Sequence, residues 1–290
     1  MTDYTLLIGD PSYSSWSLRG WLAFKAFDIP VQVEVTRFYQ DGFAQDLKPF
    51  APAKTVPVVK ASDGSLWSDS LTIIEELASR HPEAGLLPSA PVARARARSL
   101  MAEMHSSFGE LRNLCPMNTR TAYEKTPMTE GLEKDLRRLE LLWSITSQTD
   151  SPWLFDSYSA ADAFYAPVAA RIACYNLPVS EQASAYVKAH LNHLPFRQFR
   201  ALGLTYAPQD FYFRDYPIAD WPAPAPLEAK PIDAHIRDSL NQICPYSGKE
   251  VRYFLETNGK IFGFCNERCR DKTINDPEAW PQFMALFEAS

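Results

Sequence analysis

The stretch Lys54-Thr-Val-Pro-Val-Val-Lys60 constrains this chain more than any other. An apolar strand is entered there through Val56-Pro57 and runs into an Asp63-Gly64 turn. A strand entered through X-Pro can hold that bond in the cis form, and cis proline occurs mainly where a fold demands an unusual backbone path. Such a path leaves the amide and carbonyl of Val56 unpaired and facing outward, ready to take another peptide backbone as an added strand. Further on, Trp67-Ser-Asp-Ser-Leu-Thr-Ile-Ile-Glu75 puts an acid–hydroxyl pair, Asp69-Ser70, at the start of an amphipathic helix. Helix N-termini favour carboxylates through their free N–H groups and their dipole. A site that grips both a peptide backbone and a free α-carboxylate points to a small peptide ligand.

The surrounding elements fit one fold. Thr5-Leu-Leu-Ile8 reads as a buried strand, ended by Gly9-Asp10-Pro11. From Ser17, apolar Leu18, Trp21, Leu22 and Ala26 recur at helical spacing until Asp28-Ile29-Pro30 stops them. Val31–Val35 alternates with period two, as a half-buried strand should. With an irregular segment over 37–55, the order is strand, helix, strand, irregular segment, strand, turn, strand, helix. That is the order of a thioredoxin-like domain, here over residues 1–84.

The Val56-Pro57 and Asp69-Ser70 pair resembles the glutathione-binding half of the glutathione S-transferase family. Ser14-Ser-Trp-Ser-Leu-Arg19, between the first strand and the first helix, is similar to the Ser-Ser-Cys-Ser-x-Arg signature of its zeta class, the maleylacetoacetate isomerases. Trp16 replaces the Cys, and the match stops at Gly20. The resemblance implies that Val56, entered through Pro57, binds the cysteinyl backbone of glutathione. It implies that Asp69 and Ser70 hold the γ-glutamyl end, that Lys54 neutralises the glycyl carboxylate, and that Ser14, with Ser15 beside it, is the catalytic hydroxyl. The physical need is a thiolate: a free thiol titrates near about 8.5, so little of it is ionised at neutral pH. A hydroxyl donor at a helix N-terminus would stabilise the sulfur anion. The bland alternatives are a serine N-cap and a solvated lysine.

Beyond the linker Leu86–Pro91, residues 91–207 read as an all-helical domain, giving the α+β glutathione S-transferase fold. Ala93 to Leu114 reads as one long helix, with Arg94, Arg96 and Arg98 near its start. Gly131 to Ser147 reads as another, with a stripe of Leu132, Leu136, Leu139, Leu142 and Trp143. Ser159-Ala-Ala-Asp162 is a capping box with Asp in place of Glu, a folding device rather than a catalytic one. An electrophilic small molecule would sit where the first long helix faces Ser14, with Trp16, His105, Arg112, Asn118 and Arg120 as candidates.

Residues 208–240 carry six prolines and read as a linker. After it, residues 241–290 place Cys244-Pro-Tyr-Ser-Gly before a hairpin turning at Asn258-Gly259, which brings Cys244 towards Cys265 and Cys269. Three convergent thiolates suit zinc or copper(I). The spacing Cys244-x20-Cys265-x3-Cys269 resembles the TRASH/YHS family of small metal-binding modules. Ser247 stands where many zinc modules have a second Cys, leaving water, Asp271 or another chain for the fourth position.

Bulk properties narrow the rest. With 46% hydrophobic and 22% charged residues the chain is globular, and no apolar run approaches the roughly 18–20 residues of a membrane span. A formal charge of −6 disfavours nonspecific nucleic-acid binding. Met1-Thr-Asp-Tyr has no basic and apolar leader, and five unevenly spread cysteines suit a reducing cytoplasm. The family resemblance implies a homodimer. Two other functions stand beside the enzyme: a metal-sensing or metal-handling protein with a non-catalytic body, and a silent binding scaffold of the same fold.

Overall fold

The computed structural model describes residues 2–145 and 150–289. It divides into two compact units, Met1–Phe196 with Asp210–Pro222, and Arg197–Gln209 with Ala223–Ser290.

The first unit begins β1 (Tyr4–Ile8), α1 (Ser15–Lys25), β2 (Gln32–Val35), α2 (Phe43–Leu47), β3 (Val58–Ala61), β4 (Leu66–Ser68) and α3 (Ser70–Arg80). The sheet order is β2-β1-β3-β4, with β1 and β2 parallel and the other pairs antiparallel. Leu6 opposite Val59 and Leu7 opposite Val58 fix the central register, and all four side chains are buried. α1 buries Leu18, Leu22 and Phe24. It lies so close to the entry of β3 that a Cβ on Gly20 would stand 2.9 Å from the Pro57 ring, so a glycine is required there.

The segment 37–55, expected to be irregular, contains α2 and a 3-10 turn at Lys48–Phe50. Phe43, Leu47 and Phe50 fall at helical spacing, and Leu47 and Phe50 join Val56 and Val58 in a small core. Pro49 tightens the helix into the 3-10 turn rather than letting it continue.

Next come α4 (Pro91–Ser106), α5 (Gly109–Leu114), β5 (Ala122–Tyr123), α6 (Glu130–Ser144), α7 (Ala160–Cys174), α8 (Glu181–Asn192) and α9 (Leu194–Gly203), which belongs to the other unit from Arg197 onward. The single helix expected over Ala93–Leu114 is two. Ser107 is extended, Phe108 is left-handed at φ +63°, and the chain restarts at Gly109. Arg112 stabilises the break by donating through Nη2 to the carbonyls of Met104 and His105, which the ended helix leaves free. α6 ends at Ser144, and its expected end at Ser147 lies outside the described residues. At the start of α7 the buried Asp162 carboxylate accepts from the Ser159 N–H and hydroxyl, the Leu154 N–H and the Tyr186 hydroxyl. It is a structural knot, as its sequence position suggested. A 3-10 turn at Asp210–Tyr212 and the strand β6 (Ile218–Ala219), paired with β5, complete the unit.

The second unit is a three-stranded antiparallel sheet, β7 (Lys230–Ile232), β8 (Tyr253–Thr257) and β9 (Lys260–Phe264), with α10 (Glu267–Asn275) and α11 (Pro281–Glu288). Asn258 and Gly259, at φ +49° and +73°, make the two-residue turn that their sequence announces. Leu255, Phe262, Phe264 and Phe283 are fully buried in its core, which includes Ala201 of α9. Arg197 of α9 grips Asp276 through two hydrogen bonds of 2.9 and 2.7 Å. The stretch 208–240, expected as a linker, therefore supplies β6 to one unit and β7 to the other.

Candidate functional site

The first site is assembled at the N-terminus of α1. Ser14 is the N-cap, 5% exposed. Its oxygen accepts from the Ser17 N–H at 3.2 Å, and its hydroxyl donates to Ser17 Oγ at 2.8 Å. Ser17 Oγ also accepts from the Gly9 N–H at 2.8 Å. A serine has one proton to give, and that of Ser14 is committed to this network. Ser15, the first residue of α1, is partly exposed and makes no side-chain hydrogen bond among the described residues.

Val56 lies beside this N-terminus. The Val56–Pro57 bond is cis, the β3 ladder begins only at Val58, and the Val56 backbone has no hydrogen-bond partner among the described residues. Its side chain is buried against Gly9, where an added Cβ would fall 2.9 Å from Val56 Cγ2. Asp69 caps α3 at φ +82°, accepting from the Leu71 N–H at 2.7 Å. Its Oδ2 lies 3.4 Å from His105 Nε2. Ser70 is 1% exposed, and its hydroxyl has no partner among the described residues. Lys54 is exposed.

Trp16 ties the candidates of the helical half to those of the sheet half. Its ring meets the edge of His105 at 5.0 Å, and the guanidinium carbons of Arg19 and Arg112 lie 4.5 and 5.1 Å from its centre. Arg19 is 1% exposed and also faces Phe164 at 4.6 Å, with Nε and Nη1 lacking hydrogen-bond partners among the described residues. Burial, reinforced by the charges of Arg112 and Arg171, holds its pKa well below the usual arginine range. Trp16, His105, Arg112 and Asp69 thus form one cluster. Asn118 and Arg120 instead brace the preceding loop: Arg120 donates to Ser12 Oγ at 3.5 Å, and Asn118 Nδ2 donates to the Tyr212 carbonyl at 3.4 Å.

Two features had no signal in the sequence. Tyr212, from the proline-rich segment, stacks on Tyr13 with ring centres 4.3 Å apart, immediately before Ser14. Phe211 beside it meets Tyr39 at 5.8 Å. These pairs join residues far apart in the chain, and aromatic residues among prolines carry no local mark of such partners.

The second site lies in the other unit. The Sγ atoms of Cys244, Cys265 and Cys269 are all within 4.8 Å of one another. Cys244 sits in a tight turn closed by its N–H to the Lys249 carbonyl at 2.8 Å and by the Gly248 N–H to its own carbonyl at 3.0 Å, with Gly248 at φ +68°. Burial pushes the Cys244 thiol up, but hydrogen bonds from the N–H groups of Cys265, Tyr246 and Ser247 outweigh it and bring it down to about 7. Cys269 is pushed up to about 12 by burial and by its two sulfur neighbours. The donor set is soft and hydrogen-bonded, which fits a soft or borderline cation. Asp271, considered as a fourth ligand, is not part of the group and pairs with Arg270 at 2.7 Å.

Residues 13–80 match the family described as Glutathione S-transferase, N-terminal domain. A probable maleylacetoacetate isomerase from Caenorhabditis elegans is 35% identical over 103 residues, 36% of this chain and 47% of the relative. The maleylacetoacetate isomerase of Dictyostelium discoideum is 33% identical over 106 residues, again 36% of this chain and 47% of the relative. The chain thus spans about half the length of the curated relatives it matches. Among solved structures, a glutathione transferase homologue from Burkholderia with bound glutathione superposes with a TM-score of 0.55 at 17% identity, covering 71% of this chain and all of that one. Glutathione transferase Omega 3C from Trametes versicolor gives 0.54 at 19% identity, covering 73% and 93%. Among the described residues, no helix is long and apolar enough to cross a membrane. The chain has the glutathione-transferase fold, its residues 13–80 match the glutathione S-transferase N-terminal domain, and about a third of its length is similar to the maleylacetoacetate isomerases.

Proposed function

We propose that the protein is a glutathione-dependent transferase or isomerase acting on a small electrophile. The observation that carries this reading is the unpaired Val56 backbone beside the N-terminus of α1, which offers a peptide edge and a hydroxyl in one place. Glutathione, when bound, supplies the thiol that attacks an electrophilic carbon or adds to it reversibly. Val56 takes its cysteinyl backbone, with Pro57 setting the strand entry. Asp69 and the unpartnered hydroxyl of Ser70 take the γ-glutamyl end, and Lys54 neutralises the glycyl carboxylate. Of the two serines, Ser15 has the free proton and donates to the sulfur, while Ser14 keeps the helix capped and aimed. Trp16, His105 and Arg112 line the electrophile's side. The active form is a homodimer, which sedimentation would test.

Calorimetric titration of reduced glutathione into the wild type and Val56→Pro tests the proposal. The substitution removes the backbone donor that the reading requires. Loss of binding in a variant with unchanged circular dichroism is expected. A wild type that does not bind glutathione would leave the fold as a non-catalytic body.

A second reading concerns the other unit: Cys244, Cys265 and Cys269 hold zinc or copper(I), making the protein a metal-handling one as well as, or instead of, an enzyme. The convergence of three sulfurs favours it, and metal analysis of protein purified without chelator tests it.

A further inference from the structure

We infer that Ser247 keeps the fourth corner of the three-cysteine site open, so that a cation held there takes a small exogenous thiol as an exchangeable ligand. This rests on the metal reading above.

The turn that carries Cys244 also carries Ser247, three residues on. Closure of the turn by the Cys244–Lys249 and Gly248–Cys244 hydrogen bonds brings residue 247 back to the cluster. Ser247 Oγ reaches Cys265 Sγ at 3.1 Å, shorter than the 3.9 Å between Cys265 Sγ and Cys269 Sγ. Its hydroxyl therefore lies at the edge of the cluster, spent on Cys265 rather than offered as a ligand. Cys244 is the innermost of the three, 1% exposed, whereas Ser247 is exposed, so this corner faces solvent. Among the described residues no His, Asp or Glu joins the three cysteines.

A neutral hydroxyl is a poor ligand for a cation that thiolates already suit, and here it is turned to donate to sulfur. Zinc sites that are purely structural close with four protein ligands, while sites that do chemistry keep one position for solvent or substrate. Three cysteines with a serine at the outer corner make a site of the second kind. The charge of an incoming thiolate can be accommodated. A divalent ion with three thiolates carries one net negative charge, and a fourth thiolate makes two. Lys272, one helical turn beyond Cys269, is clamped between the rings of Tyr246 and Trp280 at 3.6 and 3.7 Å and offsets part of that charge. In the exchange, the thiol releases its proton to solvent, its sulfur bonds the cation, and the departing ligand is one water; no electron moves.

Cobalt(II), which reports thiolate number and geometry in its absorption, is the probe, loaded into the full-length wild type, Ser247→Cys and Ser247→Ala. The wild type is expected to show a thiolate-to-cobalt band whose companion visible bands shift saturably on adding 2-mercaptoethanol. Ser247→Cys should start with the four-thiolate spectrum and ignore the added thiol. Ser247→Ala should keep both the resting spectrum and the response of the wild type. A wild-type spectrum indifferent to 2-mercaptoethanol, an unchanged spectrum in Ser247→Cys, or an altered resting spectrum in Ser247→Ala would each overturn the open-corner inference while leaving the metal site intact. Absence of any thiolate-to-cobalt band in all three proteins would remove the metal reading itself.

Discussion

Replacing Ser15 by alanine should raise the pKa of the thiol of bound glutathione by about one unit. The Ser15 hydroxyl is unengaged at the first position of α1, so its removal breaks no internal bond. A hydrogen bond to a charged group contributes about 1.5–3 kcal/mol, and one pKa unit corresponds to roughly 1.36 kcal/mol. Because Ser15 is partly exposed, the lower end applies, giving about one unit. The N-terminal field of α1, on the order of 0.3–1 kcal/mol, is common to wild type and variant and cancels. A bound thiol near 7 would then move to about 8, reducing the thiolate at neutral pH from about half to about a tenth, with kcat/KM falling some five-fold, as a thiolate nucleophile requires. Ultraviolet absorption of the thiolate, followed during pH titration of the glutathione complex, measures the shift directly. Ser14→Ala is the comparison: it removes the α1 cap and should cost about 1 kcal/mol in stability while moving the thiol less. If Ser14→Ala raises the thiol by a full unit and Ser15→Ala leaves it in place, Ser14 must swing out of its cap onto the ligand, and the assignment drawn from the hydroxyl network is wrong.

Other expectations concern the scaffold. Burial raises Asp162 from an ordinary value near 3.8 to about 6, outweighing the hydrogen bonds from Leu154, Ser159 and Tyr186. The folded chain then holds this proton where the unfolded chain has released it, so the stabilisation is fullest below the unfolded pKa and is lost as pH rises towards 6. The loss is about 3 kcal/mol across the two units; urea midpoints from pH 4 to 7 should fall more steeply for wild type than for Asp162→Asn, and parallel curves would contradict this. Arg197→Met removes both hydrogen bonds to the 7%-exposed Asp276 and leaves its carboxylate poorly compensated. A loss of about 1–3 kcal/mol is expected in denaturant unfolding; no loss would mean that water replaces the guanidinium without penalty.

The parts legible in the sequence are those whose signals are local. Val56-Pro57, Asp69 before α3, the Ser159/Asp162 cap and Asn258-Gly259 each announce a backbone event within a few residues, and the structure has each event there. The break between α4 and α5 carries no local signal because Phe108 adopts a left-handed conformation that side chains rarely choose, held by tertiary packing rather than by any preference of its own. α2 is silent in the sequence because five residues are too few for helical periodicity to stand out from the loop around them. The site's aromatic wall was hidden for a different reason. Tyr13 meets Tyr212, and Arg19 is enclosed by Phe164, across separations over which the order of residues carries no information about contact.

The interleaving of the two units has a consequence for how such a chain can be divided or inherited. The chain passes between them three times, after Phe196, Gln209 and Pro222. A single cut after Pro222 would therefore leave Arg197–Gln209 on the larger fragment, still carrying the partners of Asp276 and of the Asn275 side chain. The fragments would behave as complementary halves that find each other again, rather than as a body and a released appendage. For the same reason, adding residues 223–290 to the end of an ordinary transferase would not recreate this protein. Its helix α9 must already present Arg197, Gln198 and Ala201, because the cysteine module is complete only with that helix.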